Sequence, residues 1–153
     1  MQVVRVSMIS VFFLLISLPA PGLADPAATP IGHVKTVSGK AYIVRGNMRL
    51  AAHVGDAVLE HDALETEMQS SIGVSMNDNT LLSAGPSSHI ALDQYRFNPT
   101  TLDGQFFARM RRGSLAVVSG DITRHTPGAM RIQTPRAVLA VRGTEFLVNV
   151  AEP

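Results

Sequence analysis

The stretch Thr134–Val150, TPRAVLAVRGTEFLVNV, decides the fold class. It holds two apolar runs, Ala137–Val141 and Phe146–Val150, joined by Arg142-Gly143-Thr144-Glu145. In the second run Phe146, Val148 and Val150 alternate with Leu147 and Asn149, the period of a strand with one buried face. Gly143 can take the positive φ that a tight connection often needs. The stretch therefore predicts the last two strands of an all-β domain, joined as a hairpin that turns at Gly143.

Upstream, short apolar runs alternate with turn signals. Ile31–Val37 and Ala41–Arg45 read as strands around Ser38-Gly39-Lys40, and Gly46-Asn47 marks the next turn. Leu50–Val54, Ala57–Leu59 and Ala63–Thr66 are short runs. Ile72, Val74 and Met76 alternate with small residues, Asn77-Asp78-Asn79 is a tight turn, and Thr80–Ser83 returns. His89–Leu92 is a strand that Tyr95 and Phe97 extend. Gln105–Arg111 and Leu115–Ser119 read as two strands separated by a turn at Arg112-Gly113. Gly120–Gly128 reads as a polar loop before a strand at Met130–Thr134. No run sustains a helical period over three turns, and the turns come every 8–12 residues or so. That rhythm predicts an all-β fold, a single compact β-sandwich or short β-roll, solenoid-like at most, and excludes βαβ units.

The first residues resemble a secretory signal peptide: Arg5 is the basic n-region and Val6–Leu18 the apolar h-region. Small Gly22 and Ala24 at the −3 and −1 positions predict cleavage after Ala24. Val6–Leu18 falls short of the roughly 20 apolar residues that a spanning helix needs. The expected organisation is a leader helix over residues 1–24, a Pro-rich lead-in over 25–30 and a β domain over 31–150. The expected location is periplasmic or secreted, with no transmembrane segment in the mature chain. There is no Cys, so neither disulfides nor thiolate chemistry is available, and stability must come from the core. About 130 mature residues are enough to bury one.

Formal net charge is +1, which argues against nucleic acid as a partner. Charge is nevertheless divided. Acids dominate from Asp25 to Asp93, and eight Arg against four acids follow from Gln94 onward. Two faces of one domain can neutralise each other, or the later half can present a basic surface. The densest basic segment is Arg109-Met110-Arg111-Arg112. In a strand Arg109 and Arg111 share one face, solvated or used as a contact for an anionic group or partner.

Candidate chemistry is thin. His53, Asp56, His61 and Asp62 have no spacing with a zinc mechanism behind it. Ser70, Ser71, Ser87 and Ser88 are the candidate serines to partner His89, without a nucleophile elbow. Asn77-Asp78-Asn79 lacks the rest of a calcium loop. The expectation is a protein with no catalytic residues, no metal and no cofactor.

An ordered series of motifs resembles the FecR domain family: Val54-Gly55-Asp56, Leu64-Glu65-Thr66, Ser71–Met76, Asp78-Asn79-Thr80-Leu81, Gly85-Pro86-Ser87-Ser88 and Arg112-Gly113-Ser114-Leu115. It ends in Ile132-Gln133-Thr134-Pro135 and Val141-Arg142-Gly143-Thr144-Glu145-Phe146. The resemblance runs from Ile31 to Val150 and makes Thr134, Pro135, Arg142, Gly143, Thr144 and Phe146 its signature residues. It implies a mostly β periplasmic domain. In the best-known branch such a domain is the outer part of a membrane-spanning sigma-factor regulator that meets a TonB-dependent transporter. As written, this chain is expected instead to be a stand-alone exported module that binds or senses a protein or envelope component. The alternative is the periplasmic component of an iron-uptake type sigma-factor regulatory system. In the Arg-Gly-Thr turn, Arg142 is expected to tie neighbouring loops through carbonyls or Glu145.

Overall fold

The computed structural model describes residues 28–143 and 145–151. The leader expected over residues 1–24, and Thr144 of the signature, lie outside them. The first eight strands are β1 (Gly32–Ser38), β2 (Ala41–Arg45), β3 (Met48–Ala51), β4 (Ala57–Val58), β5 (Ala63–Thr66), β6 (Ser71–Met76), β7 (Leu81–Ala84) and β8 (His89–Phe97). After them come β9 (Gly104–Val118), α1 (Asp121–His125), β10 (Met130–Gln133), β11 (Val138–Ala140) and β12 (Glu145–Val150). The fold is all-β, a curled sheet with one short helix, as the turn spacing predicts.

Strand β9 organises the rest. Its first half pairs with β8 on one side and β10 on the other, giving the order β3-β2-β5-β8-β9-β10-β11. Its second half pairs with β7 and β12, giving β4-β1-β6-β7-β9-β12. One strand thus belongs to both halves of the curl, and the two inner faces close on a shared core. Phe106, Ala108 and Met110 point into that core from the first half, and Leu115 and Val117 from the second. The buried positions change from even to odd because Arg111 is an extra residue. His89 pairs with Arg112 and Ile90 with Met110, so Arg111 has no counterpart on β8, which is a β-bulge.

The expected turn at Arg112-Gly113 is therefore a bend inside a continuous strand. Gly113 has φ +93°, and a Cβ there would run into Ser88. The Ser88 hydroxyl donates toward the carbonyls of Gly85 (2.8 Å) and Ser114 (3.0 Å) and accepts from the Ser114 N–H (3.0 Å). Thr66 Oγ1 donates to Gly85 O (2.6 Å) and accepts from the Ser88 N–H (2.9 Å). Ser88 is fully buried, so these bonds staple β5, β7 and β8 to the bend in a place that water does not reach.

Three more expectations are corrected. Gly120–Gly128 is not a plain loop: it contains α1, whose Ile122 and Thr123 are buried. The cause is that β10 runs parallel to β9, and a parallel return needs a crossover of about a dozen residues. The run placed at Leu50–Val54 is a strand at Met48–Ala51, because the two-residue Gly46-Asn47 turn brings the chain straight back onto β2. The final hairpin does not form. β11 pairs with β10 while β12 pairs with β9, so the segment around Gly143 carries the chain from one half of the curl to the other. Phe146, Val148 and Val150 do face inward as the alternation predicts, with Leu147 65% exposed on the other side.

Gly143 has φ +151° and open space around a would-be Cβ, whereas Gly113 meets both backbone strain and a steric block. Gly113→Ala should therefore cost about 2–3 kcal/mol of unfolding free energy and Gly143→Val only about 1 kcal/mol. Urea melts of the two variants check this ranking.

Candidate functional site

The Asn77-Asp78-Asn79 turn is more than a surface loop. Asp78 is completely buried and is the centre of a polar network. Its carboxylate accepts from Tyr95 Oη (3.0 Å) and Thr80 Oγ1 (2.7 Å), while its backbone N–H donates to Tyr95 Oη (2.8 Å). Thr80 Oγ1 in turn accepts from the Gly120 N–H (3.0 Å), and Asp78 O accepts from the Asp121 N–H (2.7 Å). These bonds hold the β6–β7 turn, β8 and the start of α1 together. Burial, reinforced by Asp78, pushes the Tyr95 hydroxyl far above its ordinary range, so it remains a donor. Every carboxylate oxygen here has a partner and faces the interior, which is the architecture of a structural lock.

A cleft of about 740 Å³ opens beside this network, with Pro30, Leu59, Glu60, His61, Phe97 and Pro99 among its lining residues. Its size suits a small ligand. Its two carboxylates are already engaged: Asp62 is clamped by Arg45 through Nε (2.9 Å) and Nη2 (2.7 Å), and Glu60 Oε1 accepts from the Tyr95 N–H (2.9 Å). The hydrogen-bonded Asp62 carboxylate raises the Arg45 pKa, and both groups act as a brace between β2 and the loop before β5.

The other chemical candidates come apart in three dimensions. His53 Nδ1 sits 3.5 Å from Asp56 Oδ2, whereas Asp62 is turned toward Arg45. Among the described residues no group of three or more His, Cys, Asp or Glu is gathered to hold a metal. The Ser88 hydroxyl is committed to backbone groups at the β9 bend, and His89 faces Glu65 instead (Nε2 to Oε1, 3.5 Å).

The basic segment is exposed as predicted, with Met110 buried between the arginines. Arg109, however, is tied in a two-bond pair to Asp93 (2.5 and 2.6 Å). This pair links the acidic and basic halves of the sequence. Arg111 and Arg112 are exposed at the bulge and stand close enough to His89 to disfavour its protonation, adding to the larger effect of burial. Sequence spacing could not reveal the Asp93 partner, which depends on the register between β8 and β9.

The signature residues follow β10, whose Gln133 pairs with Arg109. Thr134 forms a turn between β10 and β11: its hydroxyl accepts from the Ala137 N–H (3.1 Å), its N–H donates to Ala137 O (2.8 Å), and exposed Pro135 lies within it. All three residues of β11 are exposed, Val138 at 59% and Leu139 at 38%. Arg142 and Gly143 are exposed too, and Arg142 joins neither Glu145 nor a loop carbonyl among the described residues. Phe146 is half-buried against the core.

A family model described as FecR protein matches residues 62–153. No curated protein and no solved structure matches the chain.

Two measurements check the electrostatics. Tyr95→Phe leaves Asp78 short of a buried donor and should cost about 2 kcal/mol in a denaturant melt. Burial lowers the His89 pKa below its ordinary 6.5, so the folded state takes up that proton less readily than the unfolded chain. Stability should be complete above pH 6.5 and decline as pH falls below it toward the lowered folded value. His89→Gln should remove part of that decline in thermal melts across the acid range.

Proposed function

The chain belongs to the FecR protein family, and on that premise we propose that it is an exported, non-enzymatic module that binds or senses a partner protein or envelope component. FecR domains are known from sigma-factor regulatory signalling and typically interact with proteins. The observation that carries the proposal is the position of the signature segment. Residues 134–143 lie at one end of the curled sheet and are largely exposed, and among the described residues β11 pairs with β10 alone. The buried carboxylates are spent on the fold, and the exposed features are an apolar strand and cations. Both suit recognition by contact.

The N-terminal pattern supports export with cleavage after Ala24 and a periplasmic or secreted location. No helix among the described residues is long and apolar enough to cross a membrane. A second reading, supported by the family match, makes the protein the periplasmic component of an iron-uptake type sigma-factor system.

Fractionation and N-terminal sequencing of the tagged full-length protein should find a mature chain starting at Asp25 outside the cytoplasm. Crosslinking in intact cells should trap one recurrent envelope protein. An uncleaved cytoplasmic chain with no recurrent adduct would overturn the proposal. Deletion that changes sigma-factor-dependent transcription under iron limitation would select the second reading.

A further inference from the structure

Among the described residues, strand β11 ends its half of the curled sheet and pairs with β10 alone. Its hydrogen-bond parity can be read from the flanking bonds. The Val141 N–H donates to Met130 O (2.9 Å) and the Thr134 N–H to Ala137 O (2.8 Å). In an antiparallel pair the inward-bonding residues alternate. Residues 137, 139 and 141 therefore bond toward β10, and the N–H and C=O groups of Val138 and Ala140 point away from the sheet.

Exposed apolar edges are a hazard that proteins commonly blunt with charge or proline inside the strand. β11 contains neither. Cations surround it instead: Arg136 lies two residues before Val138, Arg142 two residues after Ala140, and Arg131 on β10 pairs directly across from Ala140. All three are exposed. From Thr126 to Gly143 the chain has these three arginines and no acidic residue. The nearest basic neighbour on β9, Arg109, has Asp93 as its partner, whereas Arg131, Arg136 and Arg142 have no acidic partner among the described residues.

We infer that the free edge of β11 receives an acidic, extended segment of a partner polypeptide as an added strand. The segment bonds to the backbone of Val138 and Ala140, lays an apolar side chain against Val138, and sets its carboxylates against Arg131, Arg136 and Arg142. Main-chain bonds supply affinity in this mode, and the flanking charges choose the partner. The inference rests on the partner-binding reading above and gives that partner a chemistry.

The geometry provides a discriminating set of variants. Proline at 138 or 140 removes an outward N–H that serves no bond to β10, and edge strands tolerate proline in that position. Leu139→Pro would break the β10 ladder and serves as the disruptive control. The probe is a short labelled peptide in which Val alternates with Glu, compared with its Lys-for-Glu counterpart by fluorescence anisotropy on the full chain. The acidic peptide should bind at least about tenfold more tightly, and added salt should weaken it. Val138→Pro and Ala140→Pro should each lose about tenfold or more in affinity while melting close to the parent. The Arg136→Ala/Arg142→Ala pair leaves the backbone untouched and should weaken the acidic peptide while reducing its salt dependence.

Equal binding of the two peptides, no binding of either, or binding indifferent to the proline variants would overturn the inference. Concentration-dependent dimerisation abolished by the same prolines would also overturn it, assigning the edge to a second copy. If these tests fail while cells still yield the recurrent envelope adduct, the inference about β11 falls and the proposed function stands. If the adduct is absent as well, both fall.

Discussion

The bend in β9 is the constraint on which the rest depends. A 15-residue strand that stayed straight would serve one sheet and leave the other without a partner. The extra residue Arg111 and the left-handed Gly113 rotate the strand midway, so that Phe106 and Met110 on one side and Leu115 and Val117 on the other all reach the same interior. The buried hydroxyls of Thr66 and Ser88 hold that rotation in place. A bent strand would otherwise leave backbone groups unpaired in a dry environment, at a cost comparable to several lost hydrogen bonds. The core and the bend are thus mutually dependent. Apolar burial drives the curl closed, and the polar staple allows it to close at this one angle.

The second network has the same logic. After β9 the chain must return parallel to it, and α1 makes that crossover. Asp78, Thr80 and Tyr95 receive it, through the backbone N–H groups of Gly120 and Asp121. Residues that looked in sequence like scattered turn formers converge on these two places. Thr66, Gly85, Ser88, Gly113 and Ser114 meet at the bend, and Asp78 and Thr80 meet at the crossover. Much of the motif series that identifies the family is in this protein a record of how a doubly shared strand is built. The exceptions are the exposed signature residues beyond Thr134, for which the fold offers no comparable structural use.

That division separates residues used by the fold from exposed ones. Asp62, Asp78 and Glu60 accept bonds from the protein's own groups. Arg109 is matched by Asp93 across the strand pair. Exposed Arg131, Arg136 and Arg142 frame an apolar edge that has no strand partner beyond β10 among the described residues. In the proposed function, recognition falls where the described strands have finished their own pairing.

Periodicity and turn chemistry were enough for the class of fold and for most strands. Alternation of side chains and the preference of Gly, Asn and Asp for special backbone angles are local properties, and β2 and β5 fall on the expected residues for that reason. The inward face of Phe146 and Val148 was legible by the same argument, and the ordered motifs were enough for the family. Sequence could not decide which strands meet. Ala137–Val141 and Phe146–Val150 looked like a hairpin because they are neighbours in the chain, yet they pair with β10 and β9. The same holds for the Asp93 partner of Arg109 and for the buried role of Asp78. Each depends on register between distant segments, which free energy of burial selects over the whole chain and no local pattern encodes.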